Sequence, residues 1–198
     1  TTAPGMSILQ AIEDVGKYLS THPEDQQPAR FEELVCRCFA LLLHVPFFDA
    51  QTEDESVSYR VTWGGVVGSA SRAPSGPDGV AHGHGFKIVI EATLREGSGQ
   101  WSKEFNQCID HARKVAEKSG LRGLDVLTVM VAPIIHEQTY RAVRTHNPRS
   151  EFKIALLPTD CLRVAVETAQ LAFTLRHLEV QELLRRLKGV IAFLPKGQ

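Results

Sequence analysis

Phe86-Lys87-Ile88-Val89-Ile90-Glu91-Ala92-Thr93-Leu94 is short, apolar and rich in β-branched residues, the character of a strand buried at the centre of a sheet. One residue departs from that character. A carboxylate inside an apolar strand is costly to bury unless a partner or a cation compensates it, so Glu91 needs an explanation that its neighbours do not. Upstream, Pro77-Asp78-Gly79 is an ordinary turn tripeptide, and Asp78 stands 91 − 78 = 13 residues before Glu91. A hairpin across Val80 to Phe86 carries both acids to one end of the sheet, where they can serve a hard divalent cation such as Mg²⁺ that takes oxygen ligands. Downstream, Gly97-Ser98-Gly99 hands over to a helix expected from about Gln100 to Lys118. Gln100, Gln107 and His111 lie at offsets −4, +3 and +7 from Glu104 and share one face of that helix.

The surrounding sequence alternates helical and extended patterns. Apolar spacing predicts a helix over Ser7 to Leu19 and a long buried helix over Pro28 to His44, which carries Phe31, Leu34, Val35, Cys38, Leu41 and Leu42 on one broad face. Ser56 to Trp63 reads as a strand, and the Gly-, Ser- and Pro-rich stretch Gly64 to Gly76 as a loop. Leu124 to Val131 and Phe152 to Leu157 are further strands, with a helix at His136 to Thr145 between them and helices from about Asp160 to His177 and Val180 to Lys188 after them. This alternation predicts an α/β fold, a mixed central β-sheet flanked by α-helices. One domain is expected over 1–198, with a helical N-terminal part at about 5–45, the sheet and its acids at about 56–157, and C-terminal helices at about 160–190.

Composition narrows the function. Charged residues make up 23% of the chain and hydrophobic ones 43%, which suits a globular domain with a real core. No run approaches the roughly 18 apolar residues of a membrane span, and Thr1-Thr-Ala-Pro-Gly lacks the basic and apolar sections of a signal peptide, so a cytoplasmic protein is expected. The four cysteines Cys36, Cys38, Cys108 and Cys161 form no CxxC pair, which argues against a zinc ribbon and a disulfide framework; Cys36, Cys38 and His44 point different ways on a helix. His82-Gly83-His84 reads as an exposed turn. The net charge of −1 shows no broad basic surface, so affinity for nucleic acid would rest on cations neutralising an acidic site or on a partner. Arg141, Arg144, Arg149 and His146 suit either phosphate contact or a solvated helix face.

Pro77-Asp78, Ile88-Val89-Ile90-Glu91-Ala92-Thr93-Leu94, Gly97, Gln100, Glu104 and His111 together resemble the PD-(D/E)xK nucleases, and within them the AlwI-like type IIS restriction and nicking endonucleases. In that subgroup the strand reads Glu-x-Thr-Leu where most of the superfamily has Glu-x-Lys, and a Glu and a His follow on the next helix. The resemblance implies a restriction-endonuclease-like sheet and a catalytic set of Asp78, Glu91, Glu104 and His111. It also implies carboxylate ligands to Mg²⁺ or Mn²⁺ from Asp78, Glu91 and Glu104, with the carbonyl of Ala92 as a further ligand. Such nucleases carry an acid on an early helix, which is Glu32 here, with Glu33 beside it. Lys87, Lys103 and His111 are the candidates to replace the missing lysine.

The implied function is metal-dependent hydrolysis of DNA, with recognition supplied by another domain, a large subunit or a second copy, and no membrane partner. A catalytically silent interaction module and a nonspecific nuclease effector of an antiviral system are the alternatives. In the first, Leu171, Phe173, Leu175, Leu178, Leu183, Leu184 and Leu187 form a protein interface. Residue by residue, Asp78 can be a turn former, Glu104 can pair with Lys103 or Arg95, and His111 can be an ordinary surface histidine.

Overall fold

The computed structural model describes residues 28–49, 56–64 and 76–174. The helices expected at 7–19 and 180–188, most of the loop at 64–76, and the side chains of the leucine-rich stretch from 171 onward lie outside what is described. Among these residues, six strands form one sheet whose spatial order follows the chain: β1 (Phe47–Asp49), β2 (Arg60–Trp63), β3 (Gly79–Gly83), β4 (Phe86–Ala92), β5 (Val126–Ala132) and β6 (Lys153–Pro158). β1 runs parallel to β2; β2, β3 and β4 are antiparallel neighbours; β4, β5 and β6 are parallel. The sheet is mixed, as the alternating pattern implied. β1 is an addition, since three half-buried residues after a proline carry no readable period.

Among the described residues, four α-helices cover the sheet: α1 (Pro28–Leu43), α2 (Phe105–Ser119), α3 (Glu137–His146) and α4 (Thr159–Thr174). A π-helical turn, Gln100–Glu104, precedes α2. The period-2 alternation of β4 assigns its two faces. Ile88, Ile90 and Ala92 pack with Phe31, Val35 and Phe39 of α1 and Leu162 and Val166 of α4. Val89 packs with Ala112 and Ala116 of α2, while Met130 and Leu156 meet Cys108 of α2 and Val143 of α3. Glu91 shares the parity of Val89 and faces α2. Each fully buried aromatic or branched side chain of this core contributes roughly 1.5–3 kcal/mol.

The connections have local causes. α2 stops at Gly120, whose φ of 65° is left-handed and whose N–H reaches the Ala116 and Glu117 carbonyls. His136, expected inside α3, is its N-cap, with Nδ1 accepting the Gln138 N–H at 3.3 Å. Asn147 joins α3 to β6, donating to the Ile154 carbonyl at 2.8 Å and accepting the Ile154 N–H at 3.0 Å. The tip of the β3–β4 hairpin turns at Gly85, with φ 75°, and leaves His84 exposed. His82 instead meets the Thr62 hydroxyl at 3.0 Å.

Gly79 lies under α1 with no room for a side chain. A Cβ there would lie 2.3 Å from Cys36 Sγ and 2.9 Å from the Thr62 carbonyl oxygen, and the second of these is backbone. Gly79→Ala is therefore expected to destabilise the fold by about 1–3 kcal/mol through overpacking, read as a lower urea midpoint. Gly76→Ala, where a Cβ meets nothing within 4 Å, should leave the midpoint unchanged.

Candidate functional site

Glu91 is 6% exposed near the C-terminal end of β4, and its neighbour across the helix–sheet interface is His111 of α2. His111 Nδ1 and Glu91 Oε1 are 2.6 Å apart. Burial pushes the Glu91 carboxyl above its ordinary range; the hydrogen bond and charge of His111 oppose this, while Glu104 and Glu32 push it further up. For His111, burial works against the imidazolium, but the Glu91 hydrogen bond and the charges of Glu91 and Asp78 outweigh it, and its pKa is raised. The pair thus keeps a proton to a higher pH than a free histidine does.

Asp78 lies immediately before β3 and is held at two points. Its Oδ2 accepts the Ala92 N–H at 2.8 Å, and its own carbonyl accepts the Gly64 N–H at 2.9 Å. The acid of the turn tripeptide therefore bonds to the residue that follows Glu91. The hairpin achieves this through its register, with Gly79 opposite Ile90.

Glu104 does not join that contact. Its Oε1 pairs with Arg95 Nε at 2.6 Å, one of the two ion-pair partners its sequence neighbourhood offered, and Lys103 is exposed. The supposed polar stripe is broken by the π-helical turn, which inserts a wider winding between Gln100 and α2. Gln107 is exposed, whereas Gln100 is completely buried. Gln100 Nε2 donates to the carbonyls of Arg95 at 3.0 Å and Ile134 at 2.9 Å; its Oε1 accepts from the His136 N–H at 2.7 Å and the Thr139 hydroxyl at 3.2 Å. Gln100 is a structural clamp between the segments following β4 and β5.

On α1, Glu33 binds Arg30 at 2.6 Å and Arg37 at 2.8 Å. Glu32 is 1% exposed, and its charge, with those of Asp78 and Glu91, adds to burial in raising the Cys36 thiol. The Cys38 thiol is pushed up to about 12 by burial, and His44 is exposed beyond the helix end, so neither residue is set to bind metal. Thr93, where the resemblance noted the missing lysine, accepts the Arg95 N–H on its hydroxyl oxygen at 3.0 Å. Lys87 shares the face of Glu91 but sits four residues away, roughly 13 Å along the strand, too far to replace that lysine. Arg95, which the sequence offered only as an ion-pair partner, is the residue overlooked; the Thr93 hydroxyl and Gln100 amide now show its backbone fixed from both sides.

Asp78, Glu91, Glu104 and Glu32 thus share one electrostatic neighbourhood. As a donor set they suit a hard divalent cation: the charges of Glu104 and Glu32 raise the proton affinity of Glu91, and a cation relieves that repulsion. Their side chains are not gathered on one point. Among the described residues, no three His, Cys, Asp or Glu side chains stand as a group able to hold a metal ion.

The comparison with known families bears on the same segment. Residues 69–154 match the AlwI restriction endonuclease family model. The AlwI match contains Asp78, Glu91, Glu104 and His111, and excludes Glu32. No curated protein matches the chain. Among solved structures, the small subunit R.BspD6I2 of the heterodimeric restriction endonuclease R.BspD6I aligns with a TM-score of 0.59 and 18% identity, covering 96% of this chain and 100% of that one. HopZ1a in complex with IP6 aligns at 0.27 and 12% identity, covering 90% and 62%, too weakly to imply a common fold. The mixed α/β fold is thus similar to a restriction endonuclease subunit, and the AlwI match supports a nuclease-type domain. No helix among the described residues is long and apolar enough to cross a membrane.

Two outcomes test this geometry. His111 and Glu91 both have raised folded-state pKa values, so their contribution to stability is full below the unfolded values of 6.5 and 4.5 and is lost as pH rises through the folded ones. In chelator, the unfolding free energy from urea titrations should fall as pH increases above 6.5, and His111→Gln should flatten that fall; an unaltered slope refutes the assignment. Gln100→Leu orphans four polar groups and should cost about 3 kcal/mol or more by the same measurement.

Proposed function

We propose that this chain is a divalent-metal-dependent endonuclease domain that hydrolyses DNA phosphodiester bonds, of the restriction or nicking type, with sequence recognition supplied by another domain or subunit. The observation that carries the reading is the buried Glu91–His111 pair beside Asp78, within the segment that matches the AlwI family. Asp78, Glu91 and Glu104, with the Ala92 carbonyl, would hold Mg²⁺ or Mn²⁺, and Glu32 lies within their electrostatic reach. When bound, such an ion polarises the phosphoryl oxygen and lowers the pKa of water.

The remaining tasks fall to the chain's own groups. His111, its pKa raised against Glu91, is the group suited to proton transfer near neutral pH, for which Thr93 has no group that titrates in that range. Arg95, exposed and paired with Glu104, provides a permanent cation at the same end of the sheet. The fold neighbour R.BspD6I2 is the small subunit of a heterodimer, which supports a partner subunit here. A silent module is the second reading, favoured by the separate partners that Glu91 and Glu104 have in this arrangement.

Nicking of supercoiled plasmid with Mg²⁺ or Mn²⁺, with and without an adjacent subunit, distinguishes the two. The nuclease should lose at least about 100-fold in rate in Asp78→Ala and in Glu91→Ala. No cleavage, together with no Mn²⁺ binding by calorimetry, would leave the silent module.

A further inference from the structure

α3 and the turn after it carry the basic residues for which sequence alone left two readings, phosphate contact or a solvated face. Arg141, His146 and Arg149 line a single open depression of about 700 Å³ with Phe105, Ala142, Thr145 and Ser150. Arg144, on the same helix, does not line it. The basic residues thus divide into those that converge and one that does not.

Its wall includes Phe105, the residue that follows Glu104 at the start of α2, the helix that also carries His111. Its floor is built. The Phe105 ring meets the His146 ring edge-on with centroids 5.4 Å apart, and His146 Nε2 is bound to the Phe152 carbonyl at 2.9 Å. Lys153 directs its ammonium at the carbonyls of Asn147 and Ser150 and is occupied there. The exposed charges are the guanidinium groups of Arg141 and Arg149. Arg141 pairs with Glu137 at 2.5 Å, but the side chains are 75% and 74% exposed, so that solvent-screened pair is weak and yields readily to a stronger anion.

We infer that this depression binds the phosphate backbone of a DNA duplex through Arg141 and Arg149, fixing the register of the strand against the site at Glu91. The inference rests on the nuclease reading for its ligand. Guanidinium groups present planar donor forks to phosphate oxygens, and backbone contacts position a duplex without reading its sequence. In a protein of net charge −1, this depression is a place where cationic side chains converge.

The test is binding of a fluorescent duplex by the full chain carrying Glu91→Gln, which prevents cleavage from obscuring the equilibrium, over a range of salt concentrations. Arg141→Ala with Arg149→Ala should weaken binding at least about tenfold at low salt and reduce the slope of log K against log salt by about 1.8, or 0.9 for each phosphate left without its arginine. Arg144→Ala should leave affinity near that of the parent, and Glu137→Gln should tighten it by freeing Arg141. Circular dichroism melts confirm that each variant is folded. An unchanged affinity in the double variant, an equal loss in Arg144→Ala, or no measurable binding by the parent chain overturns the inference. Plasmid nicking by the chain without Glu91→Gln, measured in parallel, shows whether the nuclease reading fails with it or stands alone.

Discussion

The contact between Glu91 and His111 is the constraint around which the rest of the site is arranged. An ionised carboxylate in the middle layer of an α/β domain would be strongly disfavoured by desolvation alone. Here the strand that carries it is covered on the opposite face by α1 and α4, so compensation must come from α2. An imidazole within 2.6 Å provides it. That places a requirement on α2, whose axis must bring position 111 over the end of β4 while Ala112 and Ala116, small residues, let the helix lie close to Val89.

Gln100 meets a related requirement. After β4 the chain winds through a π-helical turn directly into α2, and that wide turn would be poorly specified by backbone bonds alone. A buried amide using both donors and accepting twice ties the turn to the segments after β4 and β5. The same bonds fix the backbone of Arg95, whose side chain holds Glu104. The position of one acid thus depends on a residue with no chemistry of its own to perform.

The main elements were legible because their signals are local. β4, β5 and β6 are apolar β-branched runs, α1 has an unmistakable face, and the β3–β4 hairpin follows from the turn residues at its tip. Glu91 was legible for a different reason, as an unexplained charge in an apolar run. The strand β1 was not legible, because its three residues are defined by pairing with β2 and not by any pattern of their own. The role of Gln100 was missed as well: an α-helical wheel assumes constant winding, and the π-helical turn violates that assumption where the polar residues begin. Glu32 and Glu33 are adjacent in sequence and differ only in which way α1 faces, one turned toward the carboxylates and the other toward two arginines.

The bond from the Ala92 N–H to Asp78 has a consequence for how such a domain can diversify. A side-chain oxygen occupies a main-chain donor at the end of β4, so the two acids are fastened to one short piece of backbone. The hairpin tip at Gly85 lies at the other end of both strands. Insertions and substitutions there can change what the tip touches while the spacing of the acids is inherited intact, which leaves one end of the hairpin open to variation and the other under restraint.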